Sequence, residues 1–156
     1  MRVGLGFDVH PFSDEPGRPL RLGGVDLEGE RGLAGHSDAD VISHAVADAL
    51  LGASGQGELG QLFPDDDPQW AGADSLRLLA AVVERVRAAG WRPVNVDCAV
   101  VLDAPRLASH REAMEQRLSD VVTADVTVRP KRAEGLGALG RGEGVACWAV
   151  ALVERA

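Results

Sequence analysis

The chain is short of positive charge. Its 16 Lys and Arg stand against 24 Asp and Glu, a net charge of −8, with a pI of about 4.9. That balance excludes a general nucleic-acid surface or an anionic-membrane surface. Any site for a phosphorylated ligand must be local, made from a metal, a few basic side chains and backbone N–H groups. Cysteine is nearly absent: Cys98 and Cys147 are the only two. They lie in separate apolar strand-like runs with no CxxC spacing, which disfavours cysteine metal chemistry and predicts two buried thiols in a reducing compartment. Long apolar runs are also missing. Nothing approaches the 18 or so uninterrupted residues of a membrane span. Met1-Arg2 leads straight into a strand pattern rather than the apolar core of a secretory leader, so the expected location is the cytoplasm. There is no repeat, low-complexity tract or charged tail.

At 156 residues, 46% hydrophobic and 26% charged, the expectation is one soluble globular domain over residues 1–156, long enough for an ordinary core. Residues 2–9 alternate as a first strand, and Leu20–Leu27 reads as a short hairpin. Ser37-Asp38-Ala39-Asp40 has the form of a capping box opening a helix that Gly52 and Gly55 end. Residues 54–72 read as a long loop, the kind that is often functional. Asp74 can cap a second helix with Leu76, Leu79, Val83 and Val86 at helical spacing. Val94–Leu102 reads as a buried strand. A second capping box, Ser109 to Glu112, opens a third helix. Val126–Val128 and Val145–Val153 are further strands, the last apolar enough to be central. The order predicts an α/β sandwich, an α+β arrangement with helices on one face of a mixed sheet of about four main strands plus a small hairpin.

Three of the four histidines fall within the first 44 residues. Asp8 and His10 are two apart on a strand, so both side chains share one face. A carboxylate and an imidazole are zinc-type ligands, although D-x-H alone also describes a polar strand end. His44 lies one helical turn after Asp40; a lone helical His is commonly just a hydrogen-bonded, partly buried residue. Together the three would leave one tetrahedral position open, as catalytic zinc requires. His36 and Ser37 are placed at the expected helix N-terminus, where dipole and free N–H groups favour an anion. Asp65, Asp66 and Asp67 could hold Mg²⁺ or substrate hydroxyls, or form a solvated acidic turn. Lys131, Arg132 and Glu134 pair cations with a carboxylate, as a metal-bridged diphosphate would need; a charged hairpin is the plainer alternative.

DVH near the start, HSDADVISHAVADALLGA, FPDDDPQWAGADS, NVD followed by DAPR, and EGLGALGRGEGVA occur in this order over essentially the whole chain. The pattern resembles the 2-C-methyl-D-erythritol 2,4-cyclodiphosphate synthases. The resemblance implies the cyclisation of 4-diphosphocytidyl-methylerythritol 2-phosphate with release of CMP, in the non-mevalonate route to isoprenoids. It implies a homotrimer around a central axis with active sites between subunits. It implies zinc on Asp8, His10 and His44, and Mg²⁺ or Mn²⁺ held by Glu134 with the diphosphate. Substrate contacts would come from Asp8, Val9, His10, His36 and Ser37, from Glu58, Leu59 and Gly60, and from Phe63, Pro64, Asp65, Asp66 and Asp67. Leu102, Asp103, Ala104, Pro105, Arg106, Leu107 and Ala108 would hold the cytosine, largely through backbone groups. Lys131, Arg132, Ala133 and Glu134 would meet the phosphates, with His36 and Arg132 closest to the chemistry. Arg141 matches an arginine facing the trimer axis, where an isoprenoid diphosphate can sit.

The chain departs from that pattern at four places. Lys131-Arg132-Ala133 replaces a run of threonines, Glu58 an aspartate, Arg106 a lysine, and Ala138 a larger apolar residue of the axial cavity. Two other readings use the same residues: a zinc-dependent phosphohydrolase with water as nucleophile, and a trimeric isoprenoid-diphosphate-binding protein with little catalysis.

Overall fold

The computed structural model describes all 156 residues. Four strands make one mixed sheet in the order β1 (Arg2–Pro11), β6 (Gly144–Arg155), β4 (Trp91–Val101), β5 (Asp125–Lys131). β1–β6 and β6–β4 pair antiparallel and β4–β5 pair parallel. The last strand is central, as its apolar run predicts. β2 (Leu20–Leu22) and β3 (Val25–Leu27) form the separate hairpin. The long helices α1 (Val41–Ser54), α3 (Ser75–Ala88) and α4 (Arg111–Val122) cover one face of the sheet. Residues expected as one structureless loop contain α2 (Leu59–Leu62) and a 3₁₀ turn at Pro68–Trp70, and a short α5 (Gly137–Gly140) precedes β6. No helix is long and apolar enough to cross a membrane.

Strand alternation divides β1 cleanly. Gly4 and Gly6 are buried under α1, and Asp8 and His10 continue that row. A Cβ on Gly4 would stand 2.1 Å from the Ala49 carbonyl oxygen. Only glycine lets strand and helix backbones approach this closely. α1 meets them with Ala45, Ala49 and Ala53, all buried. The opposite row, Val3, Leu5, Phe7 and Val9, remains 47–67% exposed, and Trp148 and Val150 of β6 add 40% and 44%. The outer face of β1 and β6 is therefore apolar and uncovered in the single chain, while β4 and β5 carry the Asp97–Arg129 ion pair on theirs.

The helix starts differ from expectation at two places. α1 begins at Val41 with Asp40 as its cap, not Ser37. The Asp40 carboxylate is fully buried and accepts from the backbone N–H groups of Ile42 and Ser43, from the Ser43 hydroxyl, and from Gly23 and Gly24 of the hairpin turn. Burial pushes this carboxyl up from its ordinary value, and the five donors offset part of that cost. The same carboxylate occupies the helix N-terminus. α4 starts at Arg111 after His110, which gives no side-chain cap; Ser109 lies one residue too early to serve. Asp74 caps α3 as expected, accepting from the Leu76 N–H at 2.8 Å. Gly55 closes α1 in the left-handed region, while Gly52 lies inside the helix. Cys98 and Cys147 are free and buried. Hydrogen bonding between the two thiols, together with burial, pushes the Cys147 thiol well above its ordinary range.

Candidate metal centre and substrate cavity

The close contact between β1 and α1 brings His44 over the end of the strand. Asp8 Oδ2 lies 2.9 Å from His10 Nε2 and 3.0 Å from His44 Nδ1. The two imidazole nitrogens are 3.4 Å apart. His10 Nδ1 lies 2.8 Å from the Ala34 carbonyl oxygen. A carbonyl only accepts, so Nδ1 carries a hydrogen, and Nε2 is the nitrogen left to bind a metal once the proton it donates to Asp8 in the metal-free chain has gone. A carboxylate oxygen and two ring nitrogens thus converge within 4.8 Å of one another. Such a set fits zinc: the donor types and number are those of a three-ligand site with one position left for water or substrate.

Electrostatics point the same way. Burial alone would raise the Asp8 carboxyl, but hydrogen bonds and charge from His10 and His44 outweigh it and hold the carboxyl far below its usual range. Burial disfavours a charged His10, yet the Asp8 carboxylate prevails and moves His10 upward from its ordinary value of 6.5. The cluster is a place where positive charge is wanted.

The three ligand-type residues open into a cavity of about 410 Å³. His36, Ser37, Glu58, Leu59, Gly60, Phe63 and Asp65 line it as well. His36 is held by a 2.8 Å bond between Nε2 and the Asp67 carbonyl oxygen. The Asp67 carboxylate caps the 3₁₀ turn by accepting from Gln69 N–H at 3.0 Å. Asp65 alone of the three acids faces the cavity; Pro64, Asp66 and Asp67 do not line it. The Val9 side chain is on the opposite, exposed row of β1. Sequence reasoning missed Phe7, Asp48, Trp70 and Leu78, which also line the cavity. Asp48 stands one turn after His44 on the same helix face, a spacing that could have flagged it. Its carboxylate accepts from Leu59 N–H at 3.1 Å and so anchors α2. The Trp70 indole N–H is buried without a partner.

The remaining expected residues gather elsewhere. Leu102 N–H donates to the Lys131 carbonyl at 3.1 Å, tying residues 102–108 to the end of β5. Leu102 and Leu107 side chains are buried, so only their backbone groups are available. Asp103 turns its carboxylate to the Ala133 N–H at 2.9 Å and the Gly135 N–H at 3.3 Å. Between those two amides Glu134 sits in the left-handed region at φ 54°. Arg132 Nε is 3.9 Å from Asp103 and its side chain is mostly exposed. Ala104, Pro105 and Arg141 share a second cavity of about 340 Å³ with Phe12 and Arg31. Arg141 pairs with Glu143 at 2.7 Å. Within one chain, nothing from 102–108 or 131–134 lines the cavity of the triad.

Fold and centre together define a class: an α/β protein with a three-ligand metal-type site at the end of an edge strand, opening into a polar cavity. The chain belongs to the YgbB family, whose model matches residues 1–154. It is 51% identical to the 2-C-methyl-D-erythritol 2,4-cyclodiphosphate synthase of Alkalilimnicola ehrlichii, over 99% of this chain and 96% of that one. It is 52% identical to the synthase of Rubrobacter xylanophilus, over 99% and 96%. A solved 2C-methyl-D-erythritol-2,4-cyclodiphosphate synthase with CDP bound superposes at TM-score 0.87, with 37% identity over 98% of this chain and 100% of that one. The bifunctional IspDF of Campylobacter jejuni gives TM-score 0.94 and 35% identity over 99% of this chain, which spans 42% of that longer protein.

Proposed function

We propose that this chain converts 4-diphosphocytidyl-2-C-methyl-D-erythritol 2-phosphate into 2-C-methyl-D-erythritol 2,4-cyclodiphosphate and releases CMP, in the non-mevalonate pathway to isoprenoid precursors. The observation that carries the reading is the convergence of Asp8, His10 and His44 in a cavity also lined by His36, Ser37 and Asp65, in a chain whose relatives are named for that synthesis. Residues 1–156 act as one synthase domain in the cytoplasm.

In the reaction an oxygen of the 2-phosphate attacks the β-phosphorus in line. The bond from that phosphorus to the bridging oxygen breaks, and the electron pair leaves with CMP. Both partners are anionic, so the barrier is largely charge repulsion and alignment. Asp8, His10 and His44 would hold zinc, and Glu134 would help hold Mg²⁺ or Mn²⁺ on the diphosphate. Bound there, the two cations would supply Lewis-acid neutralisation of the phosphate oxygens. The chain's own task is placement. Asp65 accepts from hydroxyls of the methylerythritol, while His36 and Ser37 position the 2-phosphate side. Backbone groups of 102–108 hold the cytosine. Lys131 and Arg132 place positive charge where the family has hydroxyls, and Arg132 neutralises the departing phosphate at longer range. No protein nucleophile is required.

Two features support a homotrimer with shared sites. The triad and the 102–108 and 131–134 group do not share a cavity within one chain, so a complete site calls for two chains. The uncovered apolar face bearing Phe7, Trp148 and Val150 is the kind of surface that associates. At the axis Arg141 is the anion-binding group for an isoprenoid diphosphate, with Ala138 leaving more room than the family's larger residue.

³¹P NMR of the purified protein with 4-diphosphocytidyl-2-C-methyl-D-erythritol 2-phosphate, zinc and Mg²⁺ tests the reading. A cyclic diphosphate with CMP is expected. A linear phosphate with CMP would make the protein a phosphohydrolase instead, and no turnover by a zinc-loaded trimer would leave binding of isoprenoid diphosphates as its role.

A further inference from the structure

His44 has a second ring nitrogen that the centre does not use. Its Nε2 lies 2.8 Å from the hydroxyl oxygen of Ser75, the first residue of α3, which is 1% exposed. The Ser75 hydroxyl in turn makes a short hydrogen bond to Asp38 Oδ1, and the Ser75 N–H donates to Asp38 Oδ2 at 3.0 Å. Arg21 Nη1 adds positive charge 3.6 Å from the same carboxylate.

The chemistry of these groups fixes the direction of every bond. A carboxylate only accepts, so the single Ser75 hydroxyl hydrogen goes to Asp38. The Ser75 oxygen is then left to accept, and His44 Nε2 must carry the hydrogen it receives. Nδ1 is therefore the nitrogen left to offer a lone pair to a metal held beside Asp8 and His10. His10 reaches the mirror-image state through Ala34. The Ser37 hydroxyl, 3.3 Å from the same Nε2, is a longer and weaker partner.

We infer that Ser75 and Asp38 are positioning residues of the metal centre, a hydroxyl–carboxylate relay that sets the tautomer and ring orientation of His44. The inference rests on the reading of Asp8, His10 and His44 as zinc ligands. Outer partners of this kind typically govern metal affinity by 10–100-fold.

The relay is separable from a purely structural role, because Asp38 and Ser75 also tie the start of α3 to the 36–40 segment. Zinc affinity is measured on the full chain by competition with a chelator, alongside the visible spectrum of the cobalt(II)-loaded protein and the melt of the metal-free protein. Ser75→Ala should lose about 10–100-fold in zinc affinity and shift the cobalt bands. Ser75→Thr keeps the hydroxyl and should stay near the parent. Asp38→Asn presents an amide that can donate to Ser75, freeing its hydroxyl to donate to Nε2 and favouring the wrong tautomer; it should weaken zinc as much as Ser75→Ala despite nearly equal size.

Parent-like zinc affinity in both Ser75→Ala and Asp38→Asn would overturn the relay. So would an equal loss in Ser75→Thr and Ser75→Ala with unchanged metal-free melts. His44→Ala separates the two levels of the argument. If it binds zinc like the parent, the ligand set itself is wrong. If it loses zinc while Ser75→Ala and Asp38→Asn do not, only the relay fails.

Discussion

Gly6 lies so close beneath α1 that a Cβ placed on it would stand 2.0 Å from the carbonyl oxygen of Ala45. Ala45 follows His44 in the chain, so this one contact sets the height of a proposed zinc ligand above Asp8. Gly6→Ala must push α1 away from the sheet. Overpacking of this kind costs about 1–3 kcal/mol. The variant should melt lower and bind zinc more weakly. Gly4→Ala makes a similar clash with Ala49, one turn further from His44. It should lose comparable stability with a smaller loss of zinc. Thermal melts and zinc titrations of the two variants side by side would check this; equal zinc affinity in both would mean that β1–α1 spacing does not position His44.

That contact also marks where the sequence stops being readable. Alternation in GLGFDVH places Asp8 and His10 on one face, and the apolar stripe of α1 carries His44. Packing of strand against helix is a tertiary fact, and it comes from two glycines meeting three alanines, residues with no side chain to announce a contact. The misplaced cap has a similar origin. Ser37, Asp38 and Asp40 are all capping residue types, and only the hairpin turn at Gly23 and Gly24 selects Asp40 by adding two more donors to its carboxylate. Ser75 gave no signal because its partners, His44 and Asp38, are more than 30 positions away. The role proposed for residues 102–108 was legible only through resemblance, whereas Lys131, Arg132 and Glu134 already read as cations beside a carboxylate, without showing that they would complete a neighbour's site.

Acid and metal should act on the centre in opposite senses. In the metal-free chain His10 is moved up from 6.5. Its pairing therefore contributes stability that is complete below 6.5 and lost as pH rises through the raised value. Asp8 is moved down from 3.8. Its contribution is complete above 3.8 and lost as pH falls through the lowered value. The pair thus stabilises the metal-free protein most between those ordinary values. Zinc needs the unprotonated imidazole, so its affinity should fall about tenfold per pH unit below the His10 value as it displaces one proton. Denaturant unfolding across pH with a chelator, and again with zinc, should show the metal's stabilisation growing as pH rises. A metal increment that stays flat from pH 5 to 8 would rule out proton displacement at His10.

On the outer face Phe7 and Trp148 meet with ring centroids 4.9 Å apart at 45°. Asp8, His10 and His44 all belong to one chain and lie on the covered side. Trp148→Asp should therefore reduce the proposed trimer to monomers, read by light scattering, and abolish turnover while zinc binding persists. A monomeric variant with full activity would remove the need for a second chain. A variant that stays trimeric would move the interface off this face.

A site shared between subunits has a stricter consequence. His44→Ala removes the zinc half and leaves 102–108 and 131–134 intact. Glu134→Ala does the reverse. Each variant alone should be silent, because every site it forms lacks one half. In mixed trimers some sites join the zinc half of a Glu134→Ala chain to the Glu134 half of a His44→Ala neighbour, and those sites are whole. Mixing the two preparations, unfolding and refolding them together, should restore CMP release that neither shows by itself. The recovered fraction should rise and fall with the mixing ratio and be greatest at equal amounts. If both halves belonged to a single chain, no ratio would restore activity, because each subunit would keep its own defect.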